Sequence, residues 1–199
     1  QIETQMAYAD TALSTTTLQP ATKSAWEYRV WTDTMPEALK DEWTEEEIRT
    51  DTYFLSPLTR WLLKIRGGER LELKVNLETR DRMEHWTTQL SSAFPLTPRT
   101  VHEATSLHLS EYACQKPDRL TTFVDLCTNF DVVDVHKYRR LTTIGSTQVE
   151  WTQAQIAGQL LHTVAFEAQD IDELKKIVKL MDLGDHTNCD YGRLLRSMM

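Results

Sequence analysis

Charged residues spaced two apart recur along short apolar segments of this sequence. In WLLKIR, Lys64 and Arg66 share one strand face, with Leu63 and Ile65 on the other. In RLELKVNL, Glu72 and Lys74 oppose Leu71, Leu73 and Val75. VVDVHKYRR sets Val133, Val135, Lys137 and Arg139 against Asp134, His136, Tyr138 and Arg140. HTVAFEA sets Thr163, Ala165 and Glu167 against Val164 and Phe166. In AWEYRVW, Glu27, Arg29 and Trp31 oppose Trp26, Tyr28 and Val30. Lysine and arginine in such rows offer an anion fixed positive charge and directional hydrogen bonds. Carboxylates can recruit a hard cation. Two architectures account for these rows. One is an ordinary sheet with a solvated charged face. The other is a barrel with a charged interior and an outer apolar face covered by helices.

The segments that must carry these residues read as follows. Strands are expected at 25–31, 50–55, 61–66, 70–77, 100–112, 120–127, 131–140, 147–151 and 159–168. Gly67-Gly68 between two of them is the strongest hairpin signal. A helix is expected near Pro36, capped by Thr34, and another over 81–92. Asp170 and Glu173 form a capping-box pattern before IDELKKIVKLM, whose apolar residues fall at helical spacing. Gly184 is the expected stop of that helix, and a last short helix is expected from Tyr191 to Ser197. The Glu45-Glu46-Glu47 run reads as a solvated loop or helix face. No segment has the βαβ pattern, and no Gly-rich loop precedes a helix, so Rossmann and P-loop readings fail. Many short strands with few helices predict an α+β domain built on a large antiparallel sheet or barrel.

Composition fits that reading. The chain has 199 residues, 40% hydrophobic and 26% charged, which suits one globular domain. A net charge of −8 excludes duplex nucleic acid as a partner held by the overall field, while leaving room for a local basic pocket. Cys114, Cys127 and Cys189 have neither disulfide-framework nor zinc-site spacing, and read as reduced thiols. His102 and His108 are the nearest His pair and make only a weak metal pattern. No apolar run reaches the roughly 18 residues of a membrane span. The expected location is a reducing intracellular compartment: the cytoplasm, or an organelle after removal of a targeting peptide. Residues 1–24, polar and Thr-rich, read as a flexible arm.

Taken in order, several segments resemble the CYTH family, the triphosphate tunnel enzymes. They are WEYRVW, Asp51-Thr52-Tyr53-Phe54, LLKIRGGERLELK, DVHKYRR, VEWTQAQIAG, AFEAQDIDELKKIVKLMDLG and Cys189-Asp190-Tyr191-Gly192-Arg193-Leu194-Leu195. The resemblance covers most of 26–195 and is poor over about 79–130, which reads as a divergent insertion within a barrel domain at 25–199. It implies a closed or nearly closed antiparallel β-barrel, a tunnel with helices packed outside. Members include thiamine triphosphatases, inorganic polyphosphatases and class IV adenylyl cyclases. Basic residues in their tunnel hold a phosphate chain, and glutamates hold Mg²⁺ or Mn²⁺.

Carried over to this chain, the resemblance implies phosphate binding by Arg29, Lys64, Arg66, Lys74, Lys137 and Arg139. It implies catalytic roles for Glu27 and Glu167, and a metal set of Glu27, Glu72 and Glu167. Two signatures depart from the family pattern. The opening Glu-x-Glu-x-Lys reads Glu27-x-Arg29-x-Trp31, and the late Glu-x-Glu reads Ala165 and Glu167. The expected interior therefore holds three acids against six bases, a surface that favours anions over metal. The functional expectation is a barrel that binds a triphosphate, polyphosphate or organic phosphate, with altered or weakened phosphohydrolase activity. The alternative is a non-catalytic scaffold or subunit that docks partners through the N-terminal arm or the 79–130 stretch.

Overall fold

The computed structural model describes residues 23–55, 59–97, 100 and 130–199. Eight antiparallel strands among them close into a barrel: β1 (Ser24–Trp31), β2 (Glu45–Leu55), β3 (Trp61–Arg66), β4 (Arg70–Arg80), β5 (Met83–Ala93), β6 (Asp131–Ile144), β7 (Thr147–Ile156) and β8 (Gln159–Ala168). Their order around the barrel is β1-β5-β4-β3-β2-β6-β7-β8. Closure pairs every strand on both sides and removes free sheet edges. Most of the sequence expectations hold, several strands running longer than expected. Two differ. The helix expected over 81–92 is strand β5, reached by a tight turn in which Asp81 and Arg82 take φ of 50° and 68°. That left-handed pair is the geometry of a two-residue hairpin, usually marked by Asn-Gly, and a charged Asp-Arg pair hid it. The helix expected near Pro36 is only a 3-10 turn, Glu37–Leu39. The strands expected at 100–112, apart from Thr100, and at 120–127, with His102, His108, Cys114 and Cys127, lie outside the described residues, as does nearly all of the 1–24 arm.

Two apolar clusters cover the outside. Trp26, Tyr28, Val30, Val149, Trp151, Val164 and Phe166 present the outer face of β1, β7 and β8. Leu174, Val178 and Met181 of helix α1 (Ile171–Leu180) and its C-terminal end pack on them. Burying a side chain such as Phe166 contributes roughly 1.5–3 kcal/mol. Around β2 to β5, Phe54, Leu63, Ile65, Leu71, Leu73 and Leu90 pack with Leu96 and Phe130.

The Asp170 carboxylate caps α1, accepting from the backbone N–H of Asp172 at 2.7 Å and of Glu173 at 3.2 Å. The reciprocal half of the capping box is absent. Glu173 instead accepts from the Ser146 N–H at 2.8 Å and ties α1 to the β6–β7 turn. The helix stops at Met181, before Gly184, because Asp182 takes the left-handed conformation at φ 56°. Asp170→Ala is expected to lower stability by about 1 kcal/mol, read as a melting temperature lower by roughly 2–4 °C.

A third cluster is inside. Tyr53, Leu55, Val135, Ala154, Ile156 and the partly buried Trp31 and Leu62 line one end of the barrel, where Tyr191 and Leu195 of helix α2 (Tyr191–Ser197) close it. Of these two helices, α1 thus lies outside and α2 across an end.

Candidate functional site

Toward the other end the interior turns charged and opens into a cavity of about 730 Å³. The strand faces read from the sequence are the ones that point inward. Arg29, Lys64, Arg66, Lys74, Lys137 and Arg139 all line this cavity, as do Glu27, Glu72 and Glu167. The sequence reading missed Glu47, Arg49, Tyr53, Glu150 and Tyr191 on the same wall, and Asp51 buried beneath it.

Asp51 is the most heavily engaged carboxylate. It is fully buried. Lys137 donates to it at 2.8 Å and Lys64 at 3.3 Å, Arg49 pairs with it at 2.9 Å, and the Gly67 N–H donates at 3.3 Å. Burial opposes its charge, but Lys64, Lys137 and Arg49 outweigh burial and hold the carboxyl far below the usual range. Lys137 also donates to the Tyr53 hydroxyl at 2.8 Å, and its ammonium sits 3.9 Å from the Tyr191 ring centre. Burial, and then the neighbouring Lys64, push the Lys137 pKa well below that of an ordinary lysine, with Asp51 opposing.

Two strands along the wall, on β7, Glu150 lies between two guanidinium groups. Arg29 donates to it at 3.4 Å, and Arg139 donates both to it and to Glu47. Arg49 also donates to Glu47, at 3.1 Å. The Glu45-Glu46-Glu47 run is therefore the start of β2, and Glu47 is an inward ion-pair partner rather than part of a solvated loop. With Glu47, Asp51 and Glu150 present, acids and bases inside the barrel are near balance. The basic excess expected from the sequence is not there.

Glu27, Glu72 and Glu167 meet at a cation the chain already supplies. Lys74 pairs with Glu27, and although burial opposes its charge, Glu27, Glu167 and Glu72 together raise its pKa. Glu27 and Glu167 are direct cross-strand neighbours. Glu72 also pairs with Lys64 at 3.7 Å and Arg66 at 3.4 Å, and Glu167 with Lys23 at 3.5 Å. Among the described residues no group of three or more His, Cys, Asp or Glu side chains is placed to hold a metal ion. The donor set does not fit a resident Mg²⁺ or Mn²⁺, because an ammonium neutralises the carboxylates that would bind one.

No protein-family model matches the sequence, and no curated protein matches it. Solved structures do match in fold. An adenylyl cyclase candidate from Hippeastrum, described as having a dominant triphosphatase activity, aligns with a TM-score of 0.55 at 13% identity, over 87% of this chain and 96% of that one. A conserved hypothetical protein of Pyrococcus furiosus aligns at 0.54 and 15%, over 84% and 99%. An adenylate cyclase candidate from Bacillus halodurans aligns at 0.51 and 9%, over 87% and 96%.

The chain has the CYTH fold.

Within this CYTH barrel the topology brings all six basic candidates to one cavity, and the glutamates with them. Alternation on β2 could have exposed Glu47, Arg49, Asp51 and Tyr53 together, since all four are odd-numbered in one strand. Glu150 had the same signal in TQVEW. Tyr191 had none, because its inward aim depends on where α2 docks. Among the described residues no helix is long and apolar enough to cross a membrane.

Proposed function

We propose that the barrel binds the phosphate chain of a triphosphate, polyphosphate or organic phosphate in its charged cavity. The observation that carries this reading is the convergence of cations from β1, β2, β3, β4 and β6 on one blind-ended cavity of about 730 Å³. A phosphate chain trades well for the carboxylates now facing those cations, since each phosphoryl group accepts several charge-assisted hydrogen bonds. Lys64 and Arg66 are the cations most available for that exchange. Their contacts of 3.3–3.7 Å are longer than a normal ion-pair hydrogen bond, and the Arg66 side chain is 45% exposed near the rim. The likeness to a protein with triphosphatase activity supports the same ligand class. Hydrolysis would fall to Glu27 and Glu167, the cross-strand pair beside Lys74.

The test is calorimetric titration with tripolyphosphate, with and without Mg²⁺ or Mn²⁺, alongside phosphate release. Saturable binding in the absence of metal is the expected result. Binding only in the presence of metal would overturn the fit argument around Lys74, and no binding under any condition would sink the reading.

A second reading is favoured by the saturation of the interior, where each acidic candidate already has a basic partner. A barrel so neutralised could serve as a non-catalytic scaffold or subunit, docking partners through the N-terminal arm or the 79–130 stretch. Stable co-purification with other chains, together with no tripolyphosphate binding, is the outcome that would select it.

A further inference from the structure

Glu150 is placed as an anion would be. Its carboxylate is the meeting point of Arg29, whose two terminal nitrogens donate at 3.4 Å each, and Arg139. The Thr152 hydroxyl donates to it at 2.7 Å. The three charged side chains are 16%, 10% and 13% exposed for Arg29, Arg139 and Glu150. Two buried donors of residues lining the same cavity are left over: Arg139 Nε and the Tyr191 hydroxyl have no hydrogen-bond partner among the described residues. Leaving a buried donor unmatched is unfavourable, and such groups mark sites whose complement is missing. A carboxylate has two oxygens, and here both are already engaged. A phosphoryl group presents three in a tetrahedral array, enough to serve the two guanidinium groups and reach further donors.

We propose that Arg29 and Arg139 form a phosphoryl subsite in which Glu150 is a resident competitor, a carboxylate of the chain that the ligand must displace. The inference rests on the phosphate-chain reading above and adds a regulator to it: Glu150 lowers affinity and screens out anions too weak to displace it. A carboxylic acid ligand gains nothing over Glu150. A phosphate chain does, through its additional oxygens and its higher charge.

The experiment compares the unaltered protein, Glu150→Gln and Thr152→Val by titration with tripolyphosphate at fixed ionic strength. Glu150→Gln is expected to bind about tenfold tighter or more, and Thr152→Val, which only loosens the carboxylate, to bind a few-fold tighter. Damage to the fold does not raise affinity, so a gain separates competition from a merely structural ion pair. If Glu150→Gln leaves the two arginines too poorly compensated to fold alone, added tripolyphosphate is expected to restore a cooperative melting transition, and Thr152→Val still reports. Binding by the unaltered protein with equal or weaker binding by both variants would overturn this inference and leave the phosphate-chain reading standing. Absence of binding in all three proteins would overturn both. Binding by Glu150→Gln alone would support the competitor role and show that the unaltered cavity is held shut.

Discussion

Asp51→Asn is expected to be among the most destabilising single changes in this protein. The side chain is fully buried and compensates Lys64, Lys137 and Arg49 at once. Removing one partner of a buried pair typically costs about 3–5 kcal/mol, because the other charge stays behind without compensation. For a chain of this size that is a fall in melting temperature of roughly 6–20 °C. The effect has a pH signature. The folded carboxyl titrates far below the unfolded one, so its contribution is complete above the unfolded value of about 4 and declines as the pH falls from there toward the depressed folded value. In melting curves, the gap between the two proteins should hold from neutrality down to about pH 4 and then narrow as the pH falls further, by about 1.4 kcal/mol per pH unit, without closing by about pH 3. A gap that stayed constant below about pH 4 would show that Asp51 acts through shape and not through charge.

Lys64→Ala/Arg66→Ala is the functional counterpart. Both side chains sit on β3, on the face that looks into the cavity, and both are held by long contacts. A hydrogen bond to a charged group contributes about 1.5–3 kcal/mol, and each 1.4 kcal/mol is about tenfold in affinity. Loss of both cations should weaken tripolyphosphate binding by about 100-fold or more. The double change also strips Glu72 of two partners and the buried Asp51 of one, so Arg66→Ala alone, with an expected loss of about tenfold, guards against a folding artefact. Lys175→Ala, on α1 outside the barrel and paired with Asp81 of the β4–β5 turn, should leave binding unchanged. A folded double variant that binds as tightly as the unaltered chain would remove these two residues from the site.

The strand faces were legible because alternation is a local property, whereas the choice of a barrel over an open sheet came from the resemblance in segment order. Lys64 and Arg66 cannot leave one face while Leu63 and Ile65 hold the other, and the same holds for Glu27 and Arg29 on β1 and for Lys137 and Arg139 on β6. The misreadings have local causes too. Asp81-Arg82 lacks the glycine that would announce a tight turn, so β5 looked helical. Glu45-Glu46-Glu47 looked solvated because three carboxylates in a row seldom enter a wall, yet only Glu47 of the three meets Arg139.

The sequence by itself determined which residues face which way, and that one face of the sheet is charged. Each strand carries that information in its own period of two. Tertiary structure alone decided how the charges neutralise one another. That Asp51 meets Lys137 depends on the pairing of β2 with β6, and Glu150 meets Arg29 only because β8 lies between their strands in a closed barrel. Tyr191 reaches the interior only because α2 docks across the barrel end. Coulomb energy depends on distance and dielectric, and neither exists until the barrel closes.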